Sequence, residues 1–462
     1  MPLDAATCYR ALQTRDARFD GRFFTGVSST GVFCRPVCPA RTPHRKNCEF
    51  YPSAAAALDA GFRPCLRCRP ETAPGAPAWN GTSAVVSRAL RLIEQGALDR
   101  GSLPELCDRL GVGDRHLRRL FLKHLGAGPS QVAQSRRLLF AKRLLTETAM
   151  PVSQAAHSAG FGSARRLHEA VTASYGRPPS ALRGRRGGES GAVELRLAFR
   201  PPYHSPLLLA FLEKRAMPGV EEIDGNVYRR SIRLGDEAGR LQAEIGEQDL
   251  KIRLDLPPSA SLLQAVDRVR RMFDLTSDPV AVQERFSADP VLGPLVASRL
   301  GLRIPGAWDG FELAVRAVLG QQVSVAGART LATRIVDRFG ESLPGDSPNR
   351  LFPQPGALAE APLEEVGLTG KRAETIREIA RCEGRDLAAV SGVGPWTREY
   401  VALRMGDPDA FPASDLVLRK AYARLTGGSV TAKELERAAE PWRPWRGYAA
   451  LYLWTAEAPH VV

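Results

Sequence analysis

Cys34-Arg-Pro-Val-Cys38 and Cys65-Leu-Arg-Cys68 constrain how the first part of this 462-residue chain folds. Three residues separate the first two cysteines, two separate the second two, and 26 lie between the pairs. Two short-spaced pairs can bend around one Zn2+ and offer it four thiolates at about 2.3 Å. The neighbouring residues are arginines rather than apolar side chains, which argues against ordinary core thiols. The spacing therefore predicts a zinc site, and by itself it allows a purely structural zinc.

Charge is distributed unevenly along the chain. Residues 1–190 hold 29 basic and 14 acidic side chains, a net of +15, whereas the other 272 residues hold 35 and 36, a net of −1. A basic first part is typical of proteins that bind nucleic acid, and 56 of the 64 basic residues are Arg, whose planar fork grips phosphate at two points. With 44% hydrophobic and 25% charged residues, the composition is that of a globular protein of several domains.

Membrane insertion and secretion are not expected. The sequence has no run of roughly 18 to 20 apolar residues, and Met1 to Arg10 lacks the apolar core of a signal peptide. We expect a cytoplasmic protein without membrane contact. In that reducing compartment the eight cysteines are expected to be metal ligands, nucleophiles or core residues rather than disulfides.

Two loop-like stretches, 71–82 and 183–191, are rich in Gly, Pro or polar residues and divide the chain. After residue 191 apolar and polar residues alternate, as in strands, and from Leu262 onward the pattern is helical. We expect a multidomain protein, mainly α-helical with α+β parts. The predicted domains are a zinc domain at 1–75, a helical domain at 83–183, a small antiparallel α+β domain at 192–260 and an all-α domain at 261–462.

The helical domain is predicted to contain two helix-turn-helix units. Ser102-Leu-Pro-Glu105 has the pattern of a capping box, which opens a helix that Gly111 ends. The other helices are expected at Asp114–Leu125, Gln131–Leu145, Val152–Ala159 and Ser163–Tyr175. Farther along, strands are expected at Val193–Phe199 and Lys251–Leu256, and helices within Phe311–Phe339, over Leu363–Cys382 and at Leu416–Leu425.

The last domain has three features that suggest chemistry. Gly392 and Gly394 lie in a possible hairpin between helices, whose backbone N–H groups could hold a DNA phosphate. Asp415 precedes the helix at Leu416–Leu425, a position where helix capping alone would explain it. The aromatic set is Trp396, Tyr400 and Trp454, each of which alone is more typical of a core.

The stretches Asp20–Phe24, Gly31–Arg41 and Gly61–Pro70 closely resemble the N-terminal zinc domain of the Ada-type methylated-DNA repair regulators. The resemblance implies that one Zn2+ is held by Cys34, Cys38, Cys65 and Cys68. It also implies that Cys34 accepts a methyl group from a DNA methylphosphotriester. A zinc-bound thiolate stays ionised at neutral pH, which suits such a transfer.

The helical domain resembles the AraC-type DNA-binding domain, most clearly at Ser158–Ser163 and Tyr175–Ser180. The resemblance implies two recognition helices, whose basic residues would contact DNA: Arg115, Arg118, Arg119, Arg165 and Arg166. Any one exposed Arg is usually only solvated, but as a set in a basic region they favour contact with the major groove and phosphates.

Residues 193–458 resemble the alkylpurine DNA glycosylases of the 3-methyladenine glycosylase II type. The matching stretches are Gly320–Val325, Gly392–Thr397, Phe411–Asp415 and Pro444–Ala450, with Phe199–Tyr203 and Phe211–Ala216 in the α+β part. The resemblance implies that Asp415 is the catalytic carboxylate and that the aromatic set lines a pocket for a flipped base. It places Gln322 and the two hairpin glycines at the DNA.

The glycosylase chemistry needs no cofactor, because alkylation makes the purine a good leaving group and one carboxylate can stabilise the oxocarbenium-like sugar. Trp396 stands where relatives that also cut the strand carry a Lys, so we expect hydrolysis only. Cys382 alone cannot hold the iron–sulfur cluster of some relatives. Two departures are Gln322, where a bulkier apolar residue could fill the hole left by the base, and a short connection from Arg381 to Leu387.

The favoured hypothesis is a bacterial DNA alkylation-response protein. A zinc methyl acceptor and transcription activator is fused to a monofunctional 3-methyladenine glycosylase, with double-stranded DNA as partner and RNA polymerase as a further expected partner. One alternative is a regulator whose glycosylase-like tail has lost catalysis and only senses DNA. Another is a zinc-stabilised DNA-binding protein without methyl transfer.

Overall fold

The computed structural model describes residues 4–74, 84–99, 101–183 and 192–457. The chain divides into two compact units. The first comprises Met1–Pro201, Gln248–Asp267 and Leu275–Asp278, and the second comprises Pro202–Glu247, Arg268–Asp274 and Pro279–Val462. Most of the two predicted linkers, at 71–82 and 183–191, lies outside the described residues, and the four domain boundaries stay a prediction.

The first unit begins with a small α+β head. Its elements are α1 (Ala5–Thr14), β1 (Phe24–Val27), β2 (Val32–Cys34), β3 (Cys48–Tyr51), α2 (Ala54–Asp59) and β4 (Arg63–Pro64). The strands form one sheet in the order β3-β1-β2-β4, in which β1 is antiparallel to β2 and β3, and β2 is parallel to β4. A central cluster of the head contains only four buried residues, Phe24, Phe33, Ala57 and Ala73.

Among the described residues from 84 to 183 there are six helices: α3 (Ala84–Glu94), α4 (Leu103–Leu110), α5 (Asp114–Leu125), α6 (Pro129–Glu147), α7 (Val152–Ser158) and α8 (Ala164–Tyr175). The predicted capping box is confirmed, because Ser102 and Glu105 each accept the other's backbone N–H. Leu106, Leu117 and Phe121 are fully buried between these helices. Two helix pairs joined by α6 therefore form as the sequence predicts.

The sheet region that follows is antiparallel, as predicted. Its elements are β5 (Val193–Ala198), α9 (Ser205–Arg215), β6 (Glu221–Asp224), β7 (Val227–Leu234), β8 (Glu237–Ile245) and β9 (Asp249–Asp255). In the first unit β5 pairs with β9, with Leu195 opposite Ile252. In the second unit β6, β7 and β8 form a meander, with Tyr228 of β7 opposite Ala243 of β8.

Helices make up the rest of the described chain. They are α10 (Leu262–Met272), α11 (Pro279–Phe286), α12 (Leu292–Ser298), α13 (Gly310–Leu319), α14 (Val325–Phe339), α15 (Pro355–Leu358), α16 (Gly370–Arg381), α17 (Pro395–Arg404), α18 (Leu416–Thr426), α19 (Ala432–Ala438) and α20 (Arg446–Glu457). Nearly every side chain of α13 is buried, and α14, α16 and α17 pack around it. None of the described helices is both long and apolar enough to cross a membrane.

The fold class predicted from the sequence is confirmed. The predicted length of one helix is wrong. The sequence predicts a single helix over Leu363–Cys382, but a 3-10 turn at Leu363–Val366 precedes α16. Gly367 separates them with a φ of +91°, a left-handed conformation that ends the first turn and that glycine adopts at little cost.

Candidate functional site

The four predicted zinc ligands lie in one buried cluster of the first unit. Cys34 is the last residue of β2, and Cys65 and Cys68 follow β4, the strand that runs parallel to β2. All four Sγ atoms lie within 4.8 Å of one another. Sulfurs of a tetrahedral site with Zn–S bonds of about 2.3 Å stand about 3.8 Å apart, so the cluster fits one Zn2+.

A cation also resolves an electrostatic conflict among the thiols. Hydrogen bonds with Cys38 and the other two cysteines raise the pKa of Cys34, and hydrogen bonds from Cys34 lower the pKa of Cys65. Four thiolates cannot be ionised together in a buried space unless a positive charge balances them. The donor set therefore fits a divalent thiophilic metal, and the predicted Zn2+ is confirmed as the cofactor of this domain.

A backbone hydrogen bond links the two cysteine pairs of the cluster. The N–H group of Arg35, the residue after Cys34, donates to Cys68 Sγ at 3.3 Å. A hydrogen bond of this kind stabilises the charge of a thiolate.

Arg35 holds the loop around the cluster. Its guanidinium pairs with Asp20 and donates to the carbonyl of Cys68 at 3.1 Å and to the hydroxyl of Thr72 at 2.5 Å. Burial opposes the charged guanidinium, but Asp20 outweighs burial and raises the pKa of Arg35. The guanidinium of Arg35 is therefore bound by protein groups. The exposed cations near the cysteines in sequence are Arg41, Arg63 and Arg67.

Metal removal is expected to unfold the head, because its central apolar cluster is small and the zinc–thiolate bonds contribute much of its stability. Protein treated with a tight chelator should exchange the amide hydrogens of residues 4–74 much faster, and added Zn2+ should restore protection. Peptides from α13 and α16, in the second unit, are the internal control. Unchanged exchange in a head shown to be metal-free would contradict this expectation.

The head is fastened to the helices of its own unit. Glu71, three residues beyond Cys68, is buried and pairs with buried Lys142 of α6 at 2.5 Å. Ser53 Oγ donates to the carbonyl of Leu125, the last residue of α5, at 2.6 Å. Removing one partner of a buried ion pair costs about 3–5 kcal/mol, so these contacts hold the metal cluster and α5 at a fixed separation.

The predicted DNA-contacting arginines lie on exposed surfaces of two helices. They are Arg115, Arg118 and Arg119 on α5, and Arg165 and Arg166 on α8. Arg118 pairs with Asp114 and Arg165 with Glu169, each one turn away on the same helix. Solvent screens exposed pairs of this kind, so they are weak and a phosphate can readily replace the carboxylate.

A cavity of about 300 Å³ in the second unit brings the predicted carboxylate and the aromatic set together. Asp415 is the N-cap of α18, and its Oδ1 accepts the N–H of Leu418 at 3.0 Å. It also accepts the indole N–H of Trp454 at Oδ1 (3.1 Å) and that of Trp396 at Oδ2 (2.7 Å). Asp415 is thus a helix cap and part of the cavity wall at once, and three donors fix its orientation.

Aromatic rings supply the apolar part of the wall. Trp396 and Tyr400, one turn apart on α17, stack with ring centroids 5.1 Å apart and planes at 10°. Trp454 of α20 meets Tyr400 edge-on, at 6.5 Å and 70°. Aromatic faces at these positions can bind a planar, electron-poor base.

Sequence reasoning missed the arginines of the same cavity. Arg404 Nη1 donates to Tyr400 Oη at 3.1 Å, and its other nitrogens donate to the carbonyls of Pro305 (2.8 Å) and Gly306 (2.9 Å). Burial opposes ionisation of the phenol, but the charges of Arg404 and Arg215 outweigh it and lower the pKa of Tyr400. Arg404 follows Tyr400 by four residues on α17, a spacing that could have revealed it.

Arg316 of α13 is one of the four arginines that line the cavity, together with Arg215, Arg329 and Arg404. It forms ion pairs with Glu221 at 3.0 Å and Glu312 at 2.8 Å, so its charge is balanced. Arg215, by contrast, stacks on the ring of Phe211, 3.7 Å from the ring centroid, and forms no ion pair among the described residues. The contacts of Arg316 with Glu312 and of Arg215 with Phe211 have the four-residue spacing of a helix face, whereas the pair of Arg316 with Glu221 joins α13 to β6 and follows no local pattern.

The predicted hairpin precedes α17. Gly394 is the N-cap of α17, and Gly392 has a φ of +84°. A Cβ at Gly392 would lie 2.4 Å from Thr375 Oγ1, so only glycine fits there. Gln321 Nε2 donates to the carbonyl of Gly392 at 3.1 Å, which places the exposed turn at Gln322 beside the hairpin.

Four family models match the chain in order. They are the metal binding domain of Ada at residues 7–71, a helix-turn-helix domain at 106–185, the AlkA N-terminal domain at 194–309 and the HhH-GPD superfamily base excision DNA repair protein at 315–444. These matches confirm the family resemblances predicted from the sequence.

Known proteins show the same combination. A probable bifunctional transcriptional activator/DNA repair enzyme AlkA of Mycobacterium tuberculosis is 40% identical over 478 residues, covering 98% of this chain and 96% of that protein. DNA-3-methyladenine glycosylase 2 of Escherichia coli is 34% identical and covers 56% of this chain and 96% of its own length. A solved 3-methyladenine DNA glycosylase from Archaeoglobus fulgidus is 25% identical, with a TM-score of 0.51 over 57% of this chain and 98% of that one.

The similarity to the Mycobacterium tuberculosis protein covers both units, and therefore includes the stretches of chain that supply the cysteine cluster and the Asp415 cavity. The chain belongs to the family of bifunctional transcriptional activators and DNA repair enzymes in which an Ada metal-binding domain and a helix-turn-helix domain precede an AlkA-type domain.

Proposed function

We propose that this protein repairs alkylated DNA by two reactions and activates transcription in response to one of them. The second unit hydrolyses the glycosidic bond of alkylated purines, and Cys34 in the first unit accepts a methyl group from DNA methylphosphotriesters. The observation that carries the glycosylase assignment is the Asp415 carboxylate, held by two indole N–H groups at the wall of an aromatic cavity.

In the glycosylase reaction, the flipped purine enters the cavity and its deoxyribose lies at Asp415. As the bond from the sugar to the base breaks, the electron pair leaves with the base and positive charge develops on the sugar. The fixed carboxylate stabilises that charge, and water then adds to the sugar and gives up a proton. The donors from Trp396 and Trp454 hold the carboxylate in place before reaction, so little reorganisation is needed.

In the methyl transfer, Cys34 Sγ attacks the methyl carbon of the phosphotriester. The carbon–oxygen bond breaks, its electron pair stays on the phosphate oxygen, and an ordinary phosphodiester is restored. Bound Zn2+ keeps the thiols ionised at neutral pH. Cys34 is the proposed acceptor because it is the first of the four cysteines, the position to which the resemblance to the metal binding domain of Ada assigns this role.

For transcription activation, a change in the zinc head must affect the helices that read the promoter, and the head contacts α5 and α6 of the same unit. The recognition helices would read a promoter in double-stranded DNA, and RNA polymerase is the expected partner of an activator. We expect the protein in the bacterial cytoplasm, associated with the nucleoid.

Base release from methylated duplex DNA by the purified chain tests the glycosylase. Free 3-methyladenine, detected by chromatography, would support catalysis. Binding to the same DNA without any released base would instead support the alternative of a DNA-sensing regulator with an inactive tail.

The glycosylase is expected to leave the DNA strand unbroken. Among the described residues, Trp396 and not a lysine stands two positions beyond Gly394, so no amine at that position can attack the sugar. Incubation with damaged duplex in the presence of borohydride should trap no covalent protein–DNA adduct, and strands should break only after later alkali. A lyase-type glycosylase run in parallel is the positive control. A trapped adduct would overturn the hydrolytic assignment.

A further inference from the structure

We propose that Arg69 and Glu71 dock the metal-binding head, residues 4–74, onto α6 and α8, so that the head and the second helix-turn-helix unit (α7 and α8) bind DNA as one body. The inference rests on the proposed regulatory function and gives it a route. A change at the cysteine cluster reaches α8 through residues that directly follow the ligand Cys68. Arg69 and Glu71 are positioning residues, because they act on DNA only through the helices that they hold.

A buried ion pair joins the head to α6. Lys142 Nζ lies 2.5 Å from Glu71 Oε1, and the two side chains are 1% and 0% exposed. Among the described residues Lys142 pairs with no other carboxylate. A buried ammonium without a counter-charge is strongly unfavourable, so the docked arrangement depends on the charge that Glu71 supplies from the head.

Arg69 connects the metal loop to the same helix. It is the residue after Cys68, and its guanidinium pairs with Glu147 of α6 and, at 3.4 Å, with Glu71. Its backbone is left-handed, with a φ of +53°, a conformation that residues with a Cβ rarely adopt. The ion pairs hold Arg69 on one side and the ligand Cys68 fixes it on the other, so the metal loop and α6 keep one relative position.

The head also reaches α8, the second predicted recognition helix. Strand β4, which leads into Cys65, packs against α8. Tyr175, the last residue of α8, is buried, and its burial together with the negative charge of Glu71 raises the pKa of its phenol. Glu71 therefore lies where α6 and α8 meet. Because a helix is rigid, fixing α8 at Tyr175 also fixes Arg165 and Arg166 in its first turn.

Docking should strengthen DNA binding because it arranges two basic surfaces in advance. Arg165 and Arg166 are exposed on α8, and Arg63 and Arg67 are exposed beside the cysteines. When one body carries both surfaces, the first contact with DNA holds the second at a high effective concentration. A head that is folded but undocked loses this advantage.

Single and double substitutions test the docking. Glu71→Gln leaves Lys142 buried without a counter-charge, so the undocked state, in which water solvates the ammonium, becomes favoured. Lys142→Met leaves Glu71 paired with Arg69, so its effect should be smaller and in the same direction. The double variant leaves neither charge of the pair, and it should dock again.

Amide hydrogen exchange in the full chain measures docking, and metal analysis shows whether the head still holds zinc. With zinc retained, Glu71→Gln should speed exchange at residues 63–72, 138–147 and 171–175 by about tenfold or more, and the double variant should return toward wild type. Glu194→Gln is the control, because it removes only an exposed ion pair with Arg253 in the same unit. If Glu71→Gln loses its zinc, Lys142→Met decides, because it leaves the sequence of the head unchanged.

DNA affinity is measured with a duplex that the wild-type protein has selected from a random-sequence pool. Affinity should fall about tenfold in zinc-loaded Glu71→Gln and recover in the double variant. Glu194→Gln should bind as wild type does. Recovery in the double variant separates loss of docking from loss of a charge that contacts DNA, because the double variant also lacks Lys142.

The outcomes separate this inference from the regulatory function on which it rests. Unchanged exchange in zinc-loaded Glu71→Gln, or a double variant no better than the single one, overturns the docking role. Faster exchange with equal DNA affinity in all variants overturns binding as one body. A wild-type protein that selects no duplex overturns the proposed regulatory function and, with it, binding as one body, whereas the exchange measurement still decides the docking.

Discussion

Replacing Asp415 by Asn should lower the rate of base release by at least about a thousandfold, while affinity for DNA containing an abasic site changes little. Asn has nearly the shape of Asp and is an equally good N-cap, so α18 keeps its start. What disappears is the negative charge that stabilises the developing positive charge on the sugar. The effect should therefore fall on the chemical step rather than on DNA binding.

The chain contains a close match for a control. Asp289 accepts the indole N–H of Trp442 at 2.6 Å and the backbone N–H groups of Val291 and Leu292 at 2.9 Å, as Asp415 accepts indole and backbone donors. It does not line the cavity, so Asp289→Asn should leave base release nearly unchanged. Single-turnover release and binding titrations with both variants measure the two effects. Equal release by Asp415→Asn and wild type would reduce Asp415 to a helix cap.

Methylation of Cys34 should raise affinity for a promoter about ten- to a hundredfold at physiological salt. One thiolate becomes a neutral thioether, so the charge of the zinc centre changes from about −2 to about −1. The loss of a negative charge lessens repulsion of DNA phosphates near the exposed Arg41, Arg63 and Arg67. Arg35 contributes little to this attraction, because Asp20 already neutralises it.

Salt dependence distinguishes this electrostatic effect from a change of shape. Protein treated with DNA that carries methylphosphotriesters is checked by peptide mass for a single methyl group on Cys34. It is then compared with protein exposed to unmodified DNA in titrations of a promoter fragment at two salt concentrations. The gain should shrink at the higher salt. A methyl group on another cysteine, or equal affinity before and after treatment, would argue against the switch and leave the zinc site unaffected.

Local sequence patterns predicted the elements that depend on local physics. The spacing of the cysteines gave the metal cluster, because two short loops can each deliver a pair of sulfurs to one ion. The capping box at Ser102 and the glycines of the hairpin set helix ends, which a few adjacent backbone groups determine. The predicted extent of the helix over Leu363–Cys382 is wrong for a local reason as well, because Gly367 interrupts an otherwise helical pattern of apolar residues.

The contacts made by the residues of the candidate sites could not be predicted from the sequence. For Asp415 the sequence left helix cap and catalytic group as alternatives. The structure shows the cap and also places the carboxylate in the cavity wall, where Trp396 of α17 and Trp454 of α20 donate to it. The catalytic role stays a prediction. Arg35, one of the arginines beside the cysteines in sequence, proved to be tied to Asp20. Such outcomes depend on which side chains meet across the fold, and sequence spacing carries no information on those meetings.

By itself, the amino-acid sequence determined the order of the domains, the metal-binding cysteines, the basic character of the first part and the family of each part. Only the tertiary structure decided which charged side chains meet at the cavity that Asp415 lines. Arg316 is neutralised by Glu221 and Glu312, whereas Arg215 and Arg404 leave the environment of Tyr400 positive. The physical reason is that a charge's effect depends on its distance from its partners and on its burial, and long-range contacts set both.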